Sequence, residues 1–337
     1  MKILFITSNR IGDAVLSTAV LGCLIDRYPR AEVTVACGPA PAPLFNAVPG
    51  LQRVLVMEKK PRSGHWFELW RQCVLNRWGI VADLRSSAIG WTLWAGKRMI
   101  LQKAPLDQHR VEHLSAFVEN EFPSLVKDES AQTPGPRIWV DSRHLVEAER
   151  LIPAQGVGGA VLGIGPTANW GGKQWPISRF VELVERLTSA GGILPGARIA
   201  VFGAGTERAM AARLLSAIPP DRCVDLVGGV DLLTAAACLT RCALYIGNDS
   251  GLMHLAAASR VPTLGLFGPS REENYAPWGK LTASVRGEQS YEQIITAPGY
   301  DYTSSETRMG SLSVDKVEAA AKALWEECLI VQESDVA

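Results

Sequence analysis

With 337 residues, 47% of them apolar and 20% charged, the chain is long enough for two domains of ordinary size, and its composition excludes an intrinsically disordered polymer. Its 34 basic and 34 acidic side chains cancel, which speaks against a nucleic-acid binder, and no nucleic-acid-reading motif is present. The balance is uneven: 19 Lys and Arg against 15 Asp and Glu in residues 1–156, then 15 against 19 in residues 157–337, so the first half is expected to meet the more acidic partner.

The opening Met1-Lys2-Ile3-Leu4-Phe5-Ile6-Thr7 runs into a polar turn with no cleavage site, so no secretory signal is expected. No apolar run reaches the roughly 18 residues of a membrane span. Strand-like runs then alternate with helix-like ones: Ile3–Thr7, a helix over Asp13–Tyr28, and strands at Val33–Cys37, Val54–Met57 and Ile80–Leu84. The pattern restarts after Gly156-Val157-Gly158-Gly159 with strands at Ala160–Ile164, Ile199–Phe202, Cys223–Val227, Leu244–Ile246 and Leu264–Phe267. A last helix, about Val314–Ile330, can pack on either domain. Such alternation implies right-handed crossovers and parallel sheets covered on both faces. The expectation is an α/β protein of two doubly wound domains, 1–156 and 157–337, with a ligand cleft at the carboxyl ends of the strands. Seven cysteines scattered among apolar neighbours, with no C-x-x-C pair and no histidine cluster, read as reduced core residues of a cytoplasmic protein.

Three turns lie where ligands are expected. In Ser8-Asn9-Arg10-Ile11-Gly12-Asp13, Gly12 permits a tight entry into the helix and Asp13 falls in its first turn. That aspartate reads either as a dipole-favoured surface carboxylate or as a general base. In Gly165-Pro166-Thr167-Ala168-Asn169-Trp170-Gly171-Gly172-Lys173-Gln174-Trp175-Pro176, the single lysine can neutralise a leaving phosphate or be a solvated loop residue, and no Walker loop is present. Gly203-Ala204-Gly205-Thr206-Glu207 is an incomplete dinucleotide fingerprint, in which Glu207 either accepts from ribose hydroxyls or simply starts a helix. The richest turn is Gly247-Asn248-Asp249-Ser250-Gly251-Leu252-Met253-His254. Here Asp249 or Ser250 is the expected N-cap, Gly251 admits a ligand to the backbone, and His254, one turn on, faces back toward an anion held by the helix start. Between residues 59 and 103, basic residues interleave with Trp66, Trp70, Trp78, Trp91 and Trp94. This suits a lipid-headgroup surface, while the spacing of Trp66, Leu69 and Trp70 also fits a helix packed on the sheet.

The chain resembles glycosyltransferase family 9, the bacterial lipopolysaccharide heptosyltransferases. The likeness rests on Arg10-Ile11-Gly12-Asp13, Lys173-Gln174-Trp175-Pro176, the stretch from Asn248 to Ala257, and Pro262-Thr263 followed by Leu266-Phe267-Gly268-Pro269-Ser270. The resemblance implies a GT-B fold of two Rossmann-like domains facing a central cleft, with the acceptor on the first and an ADP-sugar, ADP-heptose, mainly on the second. It implies Asp13 as catalytic base, Lys173 as the phosphate-binding lysine, and Glu207, Asp249, Ser250, Gly251 and His254 as donor-binding residues, with Thr167 and Asn169 of the lysine turn expected to join them. An anionic glycolipid acceptor would meet Arg10, Gly12, Lys59, Lys60 and Arg62. Some members carry hydroxylated residues just before the lysine, where this chain has Ala168 and Asn169. Transfer would be inverting, with no metal and no cofactor, by a cytoplasmic protein in peripheral contact with the inner membrane. The competing readings are a sugar-nucleotide epimerase or hydrolase, and a catalytically silent nucleotide-sugar-binding protein.

Overall fold

Strands buried on both faces need near-continuous apolar sequence, and runs such as Ile3–Ile6 and Leu244–Ile246 supply it. In the computed structural model, which describes residues 1–123, 135–153 and 159–336, these runs become the central strands of two parallel sheets. The chain divides into two compact units, Met1–Asp141 and Ser142–Ala337.

The first unit runs β1 (Lys2–Ile6), α1 (Ile11–Arg27), β2 (Glu32–Cys37), β3 (Leu51–Val56), α2 (Gly64–Cys73), β4 (Trp78–Asp83), α3 (Ile89–Thr92), β5 (Ala95–Ile100) and α4 (Arg110–Glu121). Its strand order is β3-β2-β1-β4-β5. The second runs α5 (Ser142–Leu151), β6 (Val161–Gly165), α6 (Ile177–Thr188), β7 (Arg198–Val201), α7 (Arg208–Ala217), β8 (Cys223–Asp225) and α8 (Leu232–Leu239). It continues through β9 (Leu244–Asn248), α9 (Gly251–Ala258), β10 (Thr263–Phe267), α10 (Glu272–Tyr275), β11 (Thr282–Arg286), α11 (Tyr291–Ile295) and α12 (Val314–Val336). Its strand order is β11-β10-β9-β6-β7-β8.

Every strand expected from sequence is present within a few residues, and α1 starts earlier than expected, at Ile11. The sequence pattern misses β5 and β11. Both are edge strands with one neighbour, so Lys97, Arg98 and Arg286 are tolerated there and interrupt the apolar signature. The expected boundary at 156/157 lies outside the described residues. The contacts divide the chain earlier because α5 packs on α8. Glu149 pairs with Arg241 at 2.5 Å, and Arg241 also donates to the Ile152 carbonyl. Helix α12 packs within the second unit, on α6, β10 and β11. All seven cysteines are unpaired. Five are buried, and Cys23 and Cys223 are half-buried. Burial pushes the Cys37 thiol up to about 12 and the Cys73 thiol up to about 11. Among the described residues no helix is long and apolar enough to cross a membrane.

The second core holds the site in place. Helix α6 follows the lysine-bearing turn, and its Phe180 is fully buried edge-on to Trp175 at 4.9 Å. Phe180→Ala is expected to cost about 3–5 kcal/mol, read as a lower urea midpoint at unchanged slope; an unchanged midpoint would show that this contact does not support the fold.

Candidate functional site

In the second sheet the chain builds β6, β7 and β8 in one direction, then returns to place β9 on the other side of β6. Turns leaving β6 and β9 therefore diverge and open a crevice at their carboxyl ends, the topological switch point where α/β sheets hold ligands. Most of the second-unit residues singled out from sequence gather here. Lys173 Nζ contacts Asp249 Oδ2 at 2.5 Å, joining the turn after β6 to the turn after β9. The side chains are 26% and 7% exposed respectively. Burial alone would raise the Asp249 carboxyl. Together the Lys173 ammonium, the charge of His254 and the hydrogen bond from Lys173 outweigh it and hold the group below its ordinary value.

Ser250 is the N-cap of α9 by its backbone angles, but its hydroxyl makes no capping bond, contrary to the expected side-chain cap. Asp249 is turned to Lys173 instead. Gly251 opens the helix, and His254, one turn later, is buried. On the other flank, Thr167 donates to Glu207 Oε2 at 2.7 Å, and the same oxygen takes the Ala204 amide at 2.8 Å. Glu207 thus ties the turn after β6 to the turn after β7. Asn169, in the lysine turn, is exposed.

Two supports were not assigned from sequence. Asn248, fully buried at the end of β9, donates to the Pro166 carbonyl at 2.8 Å and accepts from the Trp175 amide at 3.0 Å, so it staples both ends of the lysine turn. Its signal was present as an amide side chain at the end of an apolar strand, which must find partners when buried. The second support is the segment before α12, which lies along the same turn. Trp170 Nε1 donates to Ser304 O at 2.9 Å, the Arg308 amide to Gly172 O at 3.0 Å, and Trp175 Nε1 to Leu312 O at 2.9 Å. These bonds come from residues more than 130 positions away, which no local pattern reveals.

In the first unit the order reverses between β1 and β4. Asp13 lies in the first turn of α1, half-buried, and accepts from the Ser8 hydroxyl at 3.3 Å. Gly12 is half-buried beside it, and Arg10 is exposed at the N-cap. Fully buried Asp83, passed over at sequence level, closes the turn after β4 by accepting from the Arg85 and Ser87 amides, each at 2.8 Å. That turn presents Arg85 to Asn9 at 3.0 Å and over the Trp66 ring at 5.6 Å. Lys59, Lys60 and Arg62 follow β3 and are exposed, and Lys60 is held by Glu68 at 2.5 Å. The tryptophan stretch divides. Trp66 and Trp70 pack against the core around Leu69 and Cys73, and Trp78 is buried. Trp91 and Trp94 are 65% and 64% exposed, with Arg77 over Trp94 at 4.5 Å. Among the described residues no group of three or more His, Cys, Asp or Glu could hold a metal ion.

The sequence profile of glycosyltransferase family 9 (heptosyltransferase) matches residues 83–297. Lipopolysaccharide heptosyltransferase 2 of Salmonella typhimurium is 25% identical over 334 residues, spanning 89% of this chain and 93% of its own length. Lipooligosaccharide heptosyltransferase 2 of Campylobacter jejuni is 30% identical over 292 residues, 85% of this chain and 86% of its own. Among solved structures, the ADP-heptose LPS heptosyltransferase II of E. coli superposes with a TM-score of 0.70 at 19% identity, covering 97% of this chain and 99% of that one. A family 9 glycosyltransferase from Veillonella parvula gives 0.75 at 20% identity, covering 97% of each chain. The two parallel-sheet units are the GT-B fold class that the sequence led us to expect. The chain belongs to glycosyltransferase family 9 and is a glycosyltransferase.

The depressed Asp249 carboxyl sets a pH test. A group lowered in the folded state contributes stability above its unfolded value and loses it as pH falls through the folded one. The melting-temperature gap between wild type and Asp249→Asn is expected to be full at pH 7 and to narrow steadily below about pH 4; a gap that stays constant or widens on acidification would contradict the pairing.

Proposed function

We propose that this protein is an inverting, metal-independent heptosyltransferase that moves a heptose from ADP-heptose to an anionic lipopolysaccharide-core acceptor. The observation that carries this reading is the Lys173–Asp249 pair at the switch point beside the start of α9. It is joined by relatives named for heptose transfer to lipopolysaccharide and lipooligosaccharide.

Glycosyl transfer to a hydroxyl needs the nucleophile deprotonated as it attacks and the departing diphosphate's charge compensated. Asp13, which accepts from the Ser8 hydroxyl, takes the acceptor proton. Lys173 and the first amides of α9 hold the diphosphate, and Thr167 and Glu207 lie on the nucleoside side of the cradle. A single displacement inverts the anomeric centre. The charge that builds on the leaving group is met by an ammonium and by backbone dipoles, so no divalent ion is needed for it, and no resident cofactor takes part. Arg10 and Lys59, exposed and cationic, meet the acceptor's anionic groups together with Lys60 and Arg62. The protein would work in the cytoplasm, with exposed Trp91 and Trp94 beside Arg77 and Arg98 as its point of contact with anionic lipid.

The test is mass-spectrometric product analysis with ADP-heptose and a lipid A–core acceptor in excess EDTA. Wild type is expected to transfer heptose under these conditions, and Asp13→Asn to lose at least about a hundredfold in turnover while still binding donor. Activity abolished by EDTA and restored by Mg²⁺ would refute metal independence, and equal turnover by the variant would remove Asp13 from the proton transfer.

A further inference from the structure

Side chains alternate along a strand, so Tyr245 and Gly247 on β9 share a face that continues to Asp249 just beyond it. In register, Gly163 lies opposite Tyr245 and Gly165 opposite Gly247, and the same face of β6 continues to Thr167. The Tyr245 ring lies in the slot these glycines leave. A Cβ added at Gly165 would stand 1.9 Å from the phenolic oxygen, and one at Gly247 2.5 Å from it. Phe202 meets the ring edge-on at 6.3 Å. The hydroxyl therefore ends over the last rung of the β6–β9 ladder. Above it, on the same face, are the turns carrying the Thr167–Glu207 and Lys173–Asp249 pairs.

Tyr245 is 0% exposed, and among the described residues its hydroxyl has no hydrogen-bond partner. Such a group carries an uncompensated desolvation penalty, whereas phenylalanine would fill the same slot without it. Burial pushes the phenol well above its ordinary value, with Cys242 and Glu207 adding to the shift, so the group is an O–H donor at neutral pH. Three glycines are given up to seat it, and it is aimed at the cradle floor.

We propose that Tyr245 is a further donor-site residue, whose phenolic O–H donates to the diphosphate of the nucleotide sugar from beneath the cradle, directly or through one buried water. The inference rests on the reading of that cradle as a diphosphate site. Calorimetric titration of wild type and Tyr245→Phe with ADP and with adenosine tests it, together with the melting temperature of each nucleotide-free protein. The variant is expected to melt at the same temperature or higher, to bind ADP about tenfold more weakly, and to bind adenosine unchanged. Wild-type ADP affinity in a variant that is equally or more stable would overturn the proposal. So would a parallel loss of ADP and adenosine binding with a lower melting temperature, which is the mark of a purely structural role. If the wild type itself bound no ADP, the diphosphate reading would fall and this inference with it, a result distinct from failure at Tyr245 alone.

Discussion

The contact between Lys173 and Asp249 joins two turns that leave the second sheet on either side of its order reversal, and the chemistry proposed for the site depends on it. A carboxylate buried to this degree would be expensive alone and would repel a diphosphate. The ammonium cancels both effects while using one of its three donors, so two remain for a ligand. The positive surplus an anion needs then comes from the start of α9, where the N-cap hydroxyl makes no capping bond. Asp249 thus aims the lysine, and the helix supplies the field.

What keeps that pair in place is mostly backbone recognition. Asn248 fixes both ends of the lysine turn from the opposite face of β9, and the segment between Ser304 and Leu312 fixes it from outside through Trp170, Gly172 and Trp175. Glu207 carries the same logic to the next strand, since one of its oxygens holds both Thr167 and the Ala204 amide. Three neighbouring strands, β7, β6 and β9, are therefore tied at their carboxyl ends. In the first unit a comparable turn system, closed by buried Asp83, links Arg85 to Asn9 of the Asp13 turn and to Trp66 of α2.

The doubly wound architecture was legible because its central strands are apolar on both faces and its ligand turns follow a fixed strand-to-helix pattern. Asp13, Lys173 and Asp249 stood out for that reason. The edge strands β5 and β11 did not, because an edge tolerates Lys97, Arg98 and Arg286. The contact division falls at 141/142 because α5 packs on α8, a pairing that helical spacing alone does not reveal. Tyr245 reads as an ordinary strand residue until the register sets Gly163 and Gly165 of another strand beneath its ring. Helical spacing marked Trp66 and Trp70 as core-facing, but nothing in it separated them from exposed Trp91 and Trp94. Periodicity gives the face of an element, and only tertiary pairing tells whether that face is covered.

The claim at the centre is that Lys173 serves a diphosphate and not only Asp249. Isothermal titration of Lys173→Met with ADP and with adenosine tests it most directly. The account predicts that ADP affinity falls at least about tenfold while adenosine affinity holds, since an ion-paired hydrogen bond to phosphate is lost and the nucleoside contacts are untouched. Equal ADP affinity in wild type and a folded variant would contradict it.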